Sequence, residues 1–299
     1  MIRTSFFAVG LLLAATASAS AAPLNALEQA CAAQAASPFE VGFETTGLQV
    51  NEIDLERTVD ACTTALGSGE NDIRVAAWMA RAYYAAGQFD EAYAFAKPAA
   101  EHDVPLGLYV AGVLLSNGEG VARDADLGFD LLMTAAEADF VPAFHAVAIS
   151  LINGAGIDDD ADAETALGLL QFAADEGFGP AATTLGQMYF EGVGVAKDDV
   201  ESARLLRLAA HYGDAEGLHE LAWYNEQGIG TAVDPVAAVD LYWAAIEQGS
   251  EQSMLNLAGL YLEGRGVAQD IDMAAELLAR AAALGNVDAQ QVLEMIANS

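Results

Sequence analysis

A short glycine turn, Asn117-Gly118-Glu119-Gly120-Val121, recurs four more times along the chain with its two glycines kept two residues apart. The later copies are Asn153-Gly154-Ala155-Gly156-Ile157, Glu191-Gly192-Val193-Gly194-Val195, Gln227-Gly228-Ile229-Gly230-Thr231 and Glu263-Gly264-Arg265-Gly266-Val267. The first glycines are 36, 38, 36 and 36 residues apart. A period in this range is typical of stacked structural repeats, so the sequence predicts a repeat array.

Pairs of small residues follow the same spacing. Their steps are 36, 38, 36, 36 and 36 residues. The pairs are Ala99-Ala100, Ala135-Ala136, Ala173-Ala174, Ala209-Ala210, Ala245-Ile246 and Ala281-Ala282. Two helices can approach closely only where their side chains are small, so each pair is predicted to lie at a contact between helices. The shared two-residue slip falls between Gly154 and Ala173, where three aspartates lengthen a loop.

Each repeat from Pro105 to Asn286 reads as helix A, glycine turn, helix B and a short turn. A helix that ends in a sharp reversal needs a residue with positive φ, which glycine adopts at little cost. The first glycine of each copy is therefore predicted to be a structural turn residue: Gly118, Gly154, Gly192, Gly228 and Gly264.

Repeat three shows the full pattern. Leu185-Gly186 and Tyr189 lie on helix A, Gly192 and Gly194 in the turn, Ala209-Ala210 on helix B and Gly213 at its end. These residues resemble the Sel1-like repeat family, relatives of the tetratricopeptide repeats with a longer turn between the helices. The resemblance implies an all-α, right-handed superhelical solenoid of antiparallel helix pairs.

The chain divides into five predicted regions. Met79, Ala80, Tyr83, Gly87 and Ala92 resemble the tetratricopeptide pattern and mark a helix pair before the repeats. The regions are a signal peptide (1–22), an N-terminal cap (23–71), the tetratricopeptide-like pair (72–104), five Sel1-like repeats (105–286) and a C-terminal capping helix (287–299).

The N-terminus has the pattern of a secretory signal, with Arg3 before an apolar core and alanines suited to cleavage near residue 22. The apolar core is too short to span a bilayer, so no membrane insertion is expected after signal removal. Cys31 and Cys62 are the two cysteines. An even count in an exported chain predicts a disulfide between them, in a periplasmic or secreted protein.

Acidic residues dominate the charge. The chain has 44 acidic and 11 basic residues, for a formal net charge of −33. Such a chain is repelled by phosphate backbones, which excludes a nucleic-acid partner. Two interpretations remain open: an acidic coat that keeps an alanine-rich array soluble, or a surface that selects a basic partner or suits a salty habitat.

Sequence patterns for catalysis, metal or cofactor binding are incomplete. His219-Glu220 begins like a zinc-protease helix, but Trp223 stands where the second histidine belongs. The aspartates at 158–160 begin like a calcium loop that then lacks its glycine and final glutamate. The Gly-x-Gly turns lack the third glycine of a dinucleotide site. The sequence therefore predicts no cofactor, no metal site and no enzymatic activity.

Superposing the repeats places varied side chains at matching positions of helix A. In superhelical arrays this helix typically lines the concave side, which binds other chains. The candidate partner-binding residues are Tyr109, His145, Phe190, His219 and Trp223. The alternative is that these rings fill gaps between adjacent repeats.

The family resemblance implies a non-catalytic exported scaffold that binds protein or peptide partners. The alternative function is an accessory regulator of a cell-envelope hydrolase acting on peptidoglycan or β-lactams, or such a hydrolase itself. Some cysteine-rich relatives suggest the hydrolase, but they carry a cysteine pair in each repeat, and this chain has no cysteine after Cys62. The sequence leaves the oligomeric state open.

Overall fold

The structure is a computed structural model that describes residues 22–40, 42–44, 47–155 and 160–297. The described chain contains fifteen α-helices, one short 3-10 helix (Val50–Glu52) and no strand. None of these helices is long and apolar enough to cross a membrane. The predicted signal peptide falls outside the described residues except for Ala22, and it stays a prediction.

Three groups of helices follow one another along the chain. The first group comprises α1 (Ala26–Ala35), α2 (Leu55–Ala65), α3 (Asp72–Ala85) and α4 (Phe89–Ala100). The repeats comprise α5 (Pro105–Asn117), α6 (Ala125–Glu137), α7 (Val141–Ala155), α8 (Asp160–Asp175), α9 (Gly179–Glu191), α10 (Asp199–His211), α11 (Ala215–Gln227), α12 (Pro235–Glu247), α13 (Glu251–Glu263) and α14 (Ile271–Ala283). The last helix is α15 (Val287–Ala297).

Consecutive helices pack against each other throughout the chain. Helix A of the five repeats is α5, α7, α9, α11 and α13, and helix B is α6, α8, α10, α12 and α14. The alanine pairs lie inside this packing, since Ala99, Ala135, Ala173, Ala209, Ala245 and Ala281 are all fully buried. The fold is therefore an all-α solenoid of helix pairs, as the sequence predicts.

The glycine turns end helix A in a left-handed conformation. Gly118, Gly192 and Gly228 have φ near 76°, and Gly264 has φ of 69°. Six residues after each of these glycines an aspartate side chain accepts a hydrogen bond from the first turn of helix B. An aspartate at this position satisfies a free backbone N–H and complements the helix dipole. The four aspartates are Asp124, Asp198, Asp234 and Asp270.

The second repeat departs from this pattern. Gly154 lies within α7, which continues to Ala155, so it does not follow the helix end as its four counterparts do. Residues 156–159, between α7 and α8, lie outside the described residues.

The second glycine of a turn sets how closely successive repeats stack. A Cβ atom on Gly230 would collide with the backbone of Asp199 at the start of α10, and one on Gly266 with the backbone of Pro235 at the start of α12. Each of these turns therefore packs directly on the preceding helix B. Only glycine allows that approach.

The N-terminal cap is held by a disulfide. Cys31 on α1 and Cys62 on α2 are bonded, with their Cα atoms 4.5 Å apart and both residues fully buried. Asn25 begins α1 with a capping box completed by Glu28. Glu28 also accepts hydrogen bonds from the backbone and side chain of Asn71, which ties α1 to the start of α3.

Candidate functional site

Described residues between α1 and α2 lie across the inner face of the solenoid. We call residues 37–40, 42–44 and 47–53 the strap. Glu40 anchors its start, because Trp78 Nε1 donates to both carboxylate oxygens at 3.1–3.2 Å and Arg74 Nε lies 3.8 Å from Oε1. Burial raises the pKa of Glu40 despite these partners.

A buried arginine holds the middle of this crossing. Arg81 on α3 donates to the carbonyl oxygens of Ala35 and Ala36, both at 3.0 Å, and to that of Leu48. Burial lowers the pKa of Arg81 to about 10, so the guanidinium stays charged at neutral pH. One side chain thus donates to three backbone carbonyl oxygens, of which that of Ala36 also accepts from the backbone N–H of Leu48 at 2.9 Å.

The strap also reaches distant repeats. The ring of Phe39 meets the edge of Phe178 at 5.5 Å between centroids, just before α9. Asn51 Nδ2 donates to Gln248 Oε1 at 2.8 Å, across 197 residues of sequence. A segment that touches α3, the start of α9 and the end of α12 must lie on the concave side of the array.

A cavity of about 560 Å³ lies under the strap, and we call it the inner groove. Its walls come from the strap, α3, α5, α7 and the turns before α9, α11 and α13. Tyr109 and His145 line it, as do Phe39 and Asn51. The strap therefore forms one wall of the inner groove.

Tyr109 and His145, the two predicted binding residues in this groove, make most of their contacts within the protein. Tyr109 packs on Phe140, with ring centroids 5.4 Å apart, and burial raises its pKa. His145 Nε2 lies 3.0 Å from Thr184 Oγ1, and its ring meets Phe178 at 5.5 Å. Burial lowers the pKa of His145 to about 4, so this imidazole is neutral at physiological pH.

A second cavity, of about 570 Å³, opens between α11 and α13, and we call it the Trp223 cavity. The indole of Trp223 is 36% exposed there. Other lining residues are Glu216, His219 and Glu220 from α11, and Ser250, Gln252 and Asn256 from α13. Glu216, Glu220 and Trp223 are spaced at i, i+4 and i+7, which places them on one face of the helix.

His219 lines the cavity and also contacts the next repeat. Its Nδ1 lies 2.8 Å from Ser253 Oγ, and Ser253 Oγ is 2.9 Å from Ser250 Oγ. Ser253 has no exposed surface, so a substrate could not reach this hydroxyl. The histidine–serine pair resembles a nucleophile and base only in its distance, and its role is to join adjacent repeats.

The two carboxylates of the Trp223 cavity share one neutral donor. Gln187 Nε2 on α9 donates to Glu216 Oε1 at 3.0 Å and to Glu220 Oε1 at 2.7 Å. Burial raises the pKa of Glu220 to about 7, with further contributions from the negative charges of Glu216, Asp214 and Glu191. Among the described residues no lysine or arginine forms an ion pair with Glu216 or Glu220.

A neighbouring carboxylate on the same helix does have a basic partner. Glu226 lies 3.1 Å from Arg265 Nη1 and accepts a hydrogen bond from Tyr242 Oη at 3.2 Å. Asn256 Nδ2 donates to the same tyrosine oxygen at 3.1 Å. Near its C-terminal end α11 therefore carries a carboxylate that is paired with an arginine. Towards its N-terminal end it carries Glu216 and Glu220, which form no described ion pair.

Phe190 lies beside the Trp223 cavity without lining it. Its ring meets Trp223 at 6.1 Å and Tyr224 at 5.6 Å between centroids, and Lys197 Nζ lies 4.3 Å from its centre. The five predicted residues thus fall in two places: Tyr109 and His145 in the inner groove, and Phe190, His219 and Trp223 at the Trp223 cavity. Whether any of them contacts a partner remains a prediction.

Sequence reasoning missed the strap and the acidic part of the Trp223 cavity. Glu216 and Glu220 share a helix face with Trp223, so their spacing could have revealed them. The strap gave no such signal, because a segment without helical periodicity does not indicate which distant surface it covers. Within the described residues, no group of three or more histidine, cysteine or acidic side chains is arranged to hold a metal ion.

With this geometry in view, the repeats can be compared with known families. The Sel1 repeat family matches residues 105–140, 145–178, 180–214, 215–250 and 251–286. The chain belongs to the Sel1 repeat family. Sel1 repeat proteins generally mediate protein–protein interactions. No protein of curated function matches the chain.

Solved Sel1 structures have the same architecture. A Sel1 repeat protein from Oxalobacter formigenes is 26% identical, with a TM-score of 0.61 over 74% of this chain and 89% of that one. A protective antigen of uropathogenic Escherichia coli is also 26% identical, with a TM-score of 0.57 over 82% of this chain. This chain spans about half, 51%, of the antigen's length. The immunity protein Pa5087 from Pseudomonas aeruginosa, 19% identical, shares the fold with a TM-score of 0.52, over 69% of this chain and 81% of that one.

Proposed function

We propose that this protein is an exported, non-catalytic scaffold that binds a protein or peptide partner on the inner face of its last repeats. The observation that carries the proposal is the Trp223 cavity. It has a volume of about 570 Å³ and presents a partly exposed tryptophan. Tryptophan is enriched at binding hot spots because it offers a large apolar surface with one polar group.

Two features support export. The disulfide between Cys31 and Cys62 is of a kind that oxidising compartments preserve. The N-terminal sequence also has the charge and apolar pattern of a secretory signal. We therefore place the mature protein in the periplasm or outside the cell.

A scaffold role fits the chemistry of the site better than hydrolysis does. A hydrolase requires a nucleophile that its substrate can reach beside a suitable base. The serine next to His219 is fully buried, so this pair does not meet that requirement. Regulation of an envelope enzyme through binding would be one form of the proposed scaffold function.

Site-specific photo-crosslinking tests the proposal. A photoreactive phenylalanine replaces Gln252, an exposed residue that lines the Trp223 cavity, and in a matched control it replaces Val236, which is 58% exposed on α12 and lines neither cavity. In a periplasmic extract of the source organism, we expect position 252 to capture one defined protein in stoichiometric amount. Equal capture of the same species from position 236, or no capture from either, would refute binding at the inner face.

A further inference from the structure

The Trp223 cavity holds two carboxyl groups that have no basic partner among the described residues. Glu216 and Glu220 face it, and their described polar partner is the uncharged amide of Gln187. The remaining lining residues include no lysine or arginine. A carboxylate that loses part of its water without gaining a positive partner is unfavourable, and a ligand cation would relieve that cost.

Two other carboxylates, those of Glu40 and Glu226, have the basic partner that Glu216 and Glu220 lack. Glu40 has Arg74 nearby, and Glu226 has Arg265 at 3.1 Å. The aromatic cluster beside the cavity already holds one cation, since Lys197 Nζ lies over the ring of Phe190. Phe190 meets Trp223 edge to face, and the indole remains partly exposed on the cavity side.

We propose that the Trp223 cavity binds a lysine or arginine side chain of the partner, placed between the carboxylates of Glu216 and Glu220 and the indole of Trp223. A cation over an indole is attracted by the ring's negative face, and nearby carboxylates add direct ion pairing. This inference rests on the proposed scaffold function and specifies the chemistry that the partner must present.

The shape and polarity of the cavity fit such a group. Its volume of about 570 Å³ accommodates an extended side chain together with the adjoining backbone of a peptide. His219 adds no opposing charge, because burial lowers its pKa and its Nδ1 is engaged with Ser253. The strongly acidic surface, with 44 acidic residues in the chain, would draw a basic segment towards the site from a distance.

Peptide titrations test the proposal with the full mature chain. The probes are acetylated and amidated glycine–serine peptides of equal length with one central lysine, arginine, norleucine or glutamate. Binding is followed through the indole N–H resonance of Trp223, assigned by its loss in Trp223→Phe. We expect the lysine and arginine peptides to bind at least about tenfold more tightly than the norleucine peptide, and the glutamate peptide to cause no shift.

Charge variants separate the site from the general acidity of the protein. Glu216→Gln/Glu220→Gln should weaken binding of the lysine peptide by about tenfold, whereas Glu137→Gln/Glu247→Gln, which removes the same charge from exposed positions, should change it less than about twofold. Circular dichroism confirms that both variants are folded. Equal weakening in the two variants would mean non-specific attraction and would overturn the proposal.

The outcome also separates this inference from the scaffold function. If position 252 captures its partner in the crosslinking experiment, and captures it equally well when Glu216→Gln/Glu220→Gln is added, while no cationic peptide binds, the cation site is wrong and the scaffold stands. If position 252 captures nothing while the cationic peptides bind specifically, the cation site stands and the scaffold function is wrong.

Discussion

Two regions of the inner face differ in whether the strap covers them. Near the N-terminus, the strap lies over the concave surface and meets buried partners such as Trp78 and Arg81. Further along the array, Glu216, Glu220 and Trp223 face the Trp223 cavity, which no strap residue lines, although Asn51 of the strap reaches Gln248 at the end of α12. One array thus carries a covered face and an open one.

This difference indicates where binding capacity remains. In the covered half, polar groups find internal partners: one guanidinium satisfies three carbonyl oxygens, and Glu40 meets both an indole N–H and an arginine. In the open half, two carboxylates share one amide. Polar groups that already have internal partners gain little binding free energy from a ligand, whereas groups without such partners can gain more.

The largest effect should come from removing the disulfide that anchors the covered half. Cys31→Ser/Cys62→Ser opens a loop whose ends are 31 residues apart, and the freed unfolded chain should lower the free energy of unfolding by about 3–4 kcal/mol. Urea denaturation measures the change, with the reduced wild type as control. A loss below about 1 kcal/mol in the variant would contradict a stabilisation that acts through the unfolded chain.

The open half depends on its turns, and a matched glycine pair tests this. Gly213→Ala strains a residue with φ of 74° in open space, at a cost of about 1–2 kcal/mol. Gly230→Ala adds a collision with the backbone of Asp199, so it should cost about 1–3 kcal/mol more. Thermal unfolding compares the two variants. Equal losses would contradict the close stacking of turn on helix.

Titration of Glu220 offers a smaller effect with a defined sign. Burial raises its folded-state pKa to about 7 from an ordinary 4.5. The carboxyl therefore ionises first in the unfolded chain, and its contribution to stability falls between these two pH values and stays low above them. The negative charges of Glu216, Asp214 and Glu191 add to the effect, and burial lowers the pKa of His219 on the same helix.

Replacing Glu220 with glutamine should remove this pH-dependent loss of stability. Glu220→Gln should raise the melting temperature relative to the wild type by about 2 °C more at pH 8 than at pH 4.5. The exposed Glu247→Gln serves as control and should show no such pH-dependent gain. A constant difference between Glu220→Gln and the wild type across this range would argue against a raised pKa.

The smallest effect should follow from cutting the far end of the strap. Asn51→Ala removes an exposed hydrogen bond to Gln248, which should change the free energy of unfolding by no more than about 0.5 kcal/mol. Hydrogen exchange of the strap amides should nevertheless increase near residues 49–53 and not near Glu40. Uniformly faster exchange along the strap would mean that its two ends are not anchored independently.

The sequence predicts the solenoid well because its determinants are local and repeated. The spacing of Gly118, Gly192, Gly228 and Gly264 indicates where helix A ends, and the alanine pairs indicate where helices meet. Gly154 is the exception, since it lies within α7, which continues to Ala155. Local patterns of this kind need no knowledge of the rest of the chain.

The binding surface was predicted less completely because it depends on distant contacts. The strap meets Phe178 and Gln248, far from it in sequence, and no periodicity in residues 37–53 indicates either contact. His219 was expected at the concave surface, and the structure shows it joined to Ser253 in the next repeat as well as lining the cavity. Glu216 and Glu220 indicate a cation site only once the structure shows that they line one cavity and have no described basic partner.

The strap also has a consequence for the order of assembly. Contacts inside a repeat array are mostly between neighbours, so such a chain can form its structure progressively from one repeat to the next. Asn51 is synthesised 197 residues before Gln248, so their contact cannot form until the end of α12 has been made. This described contact of the strap therefore forms only after most of the array has been synthesised.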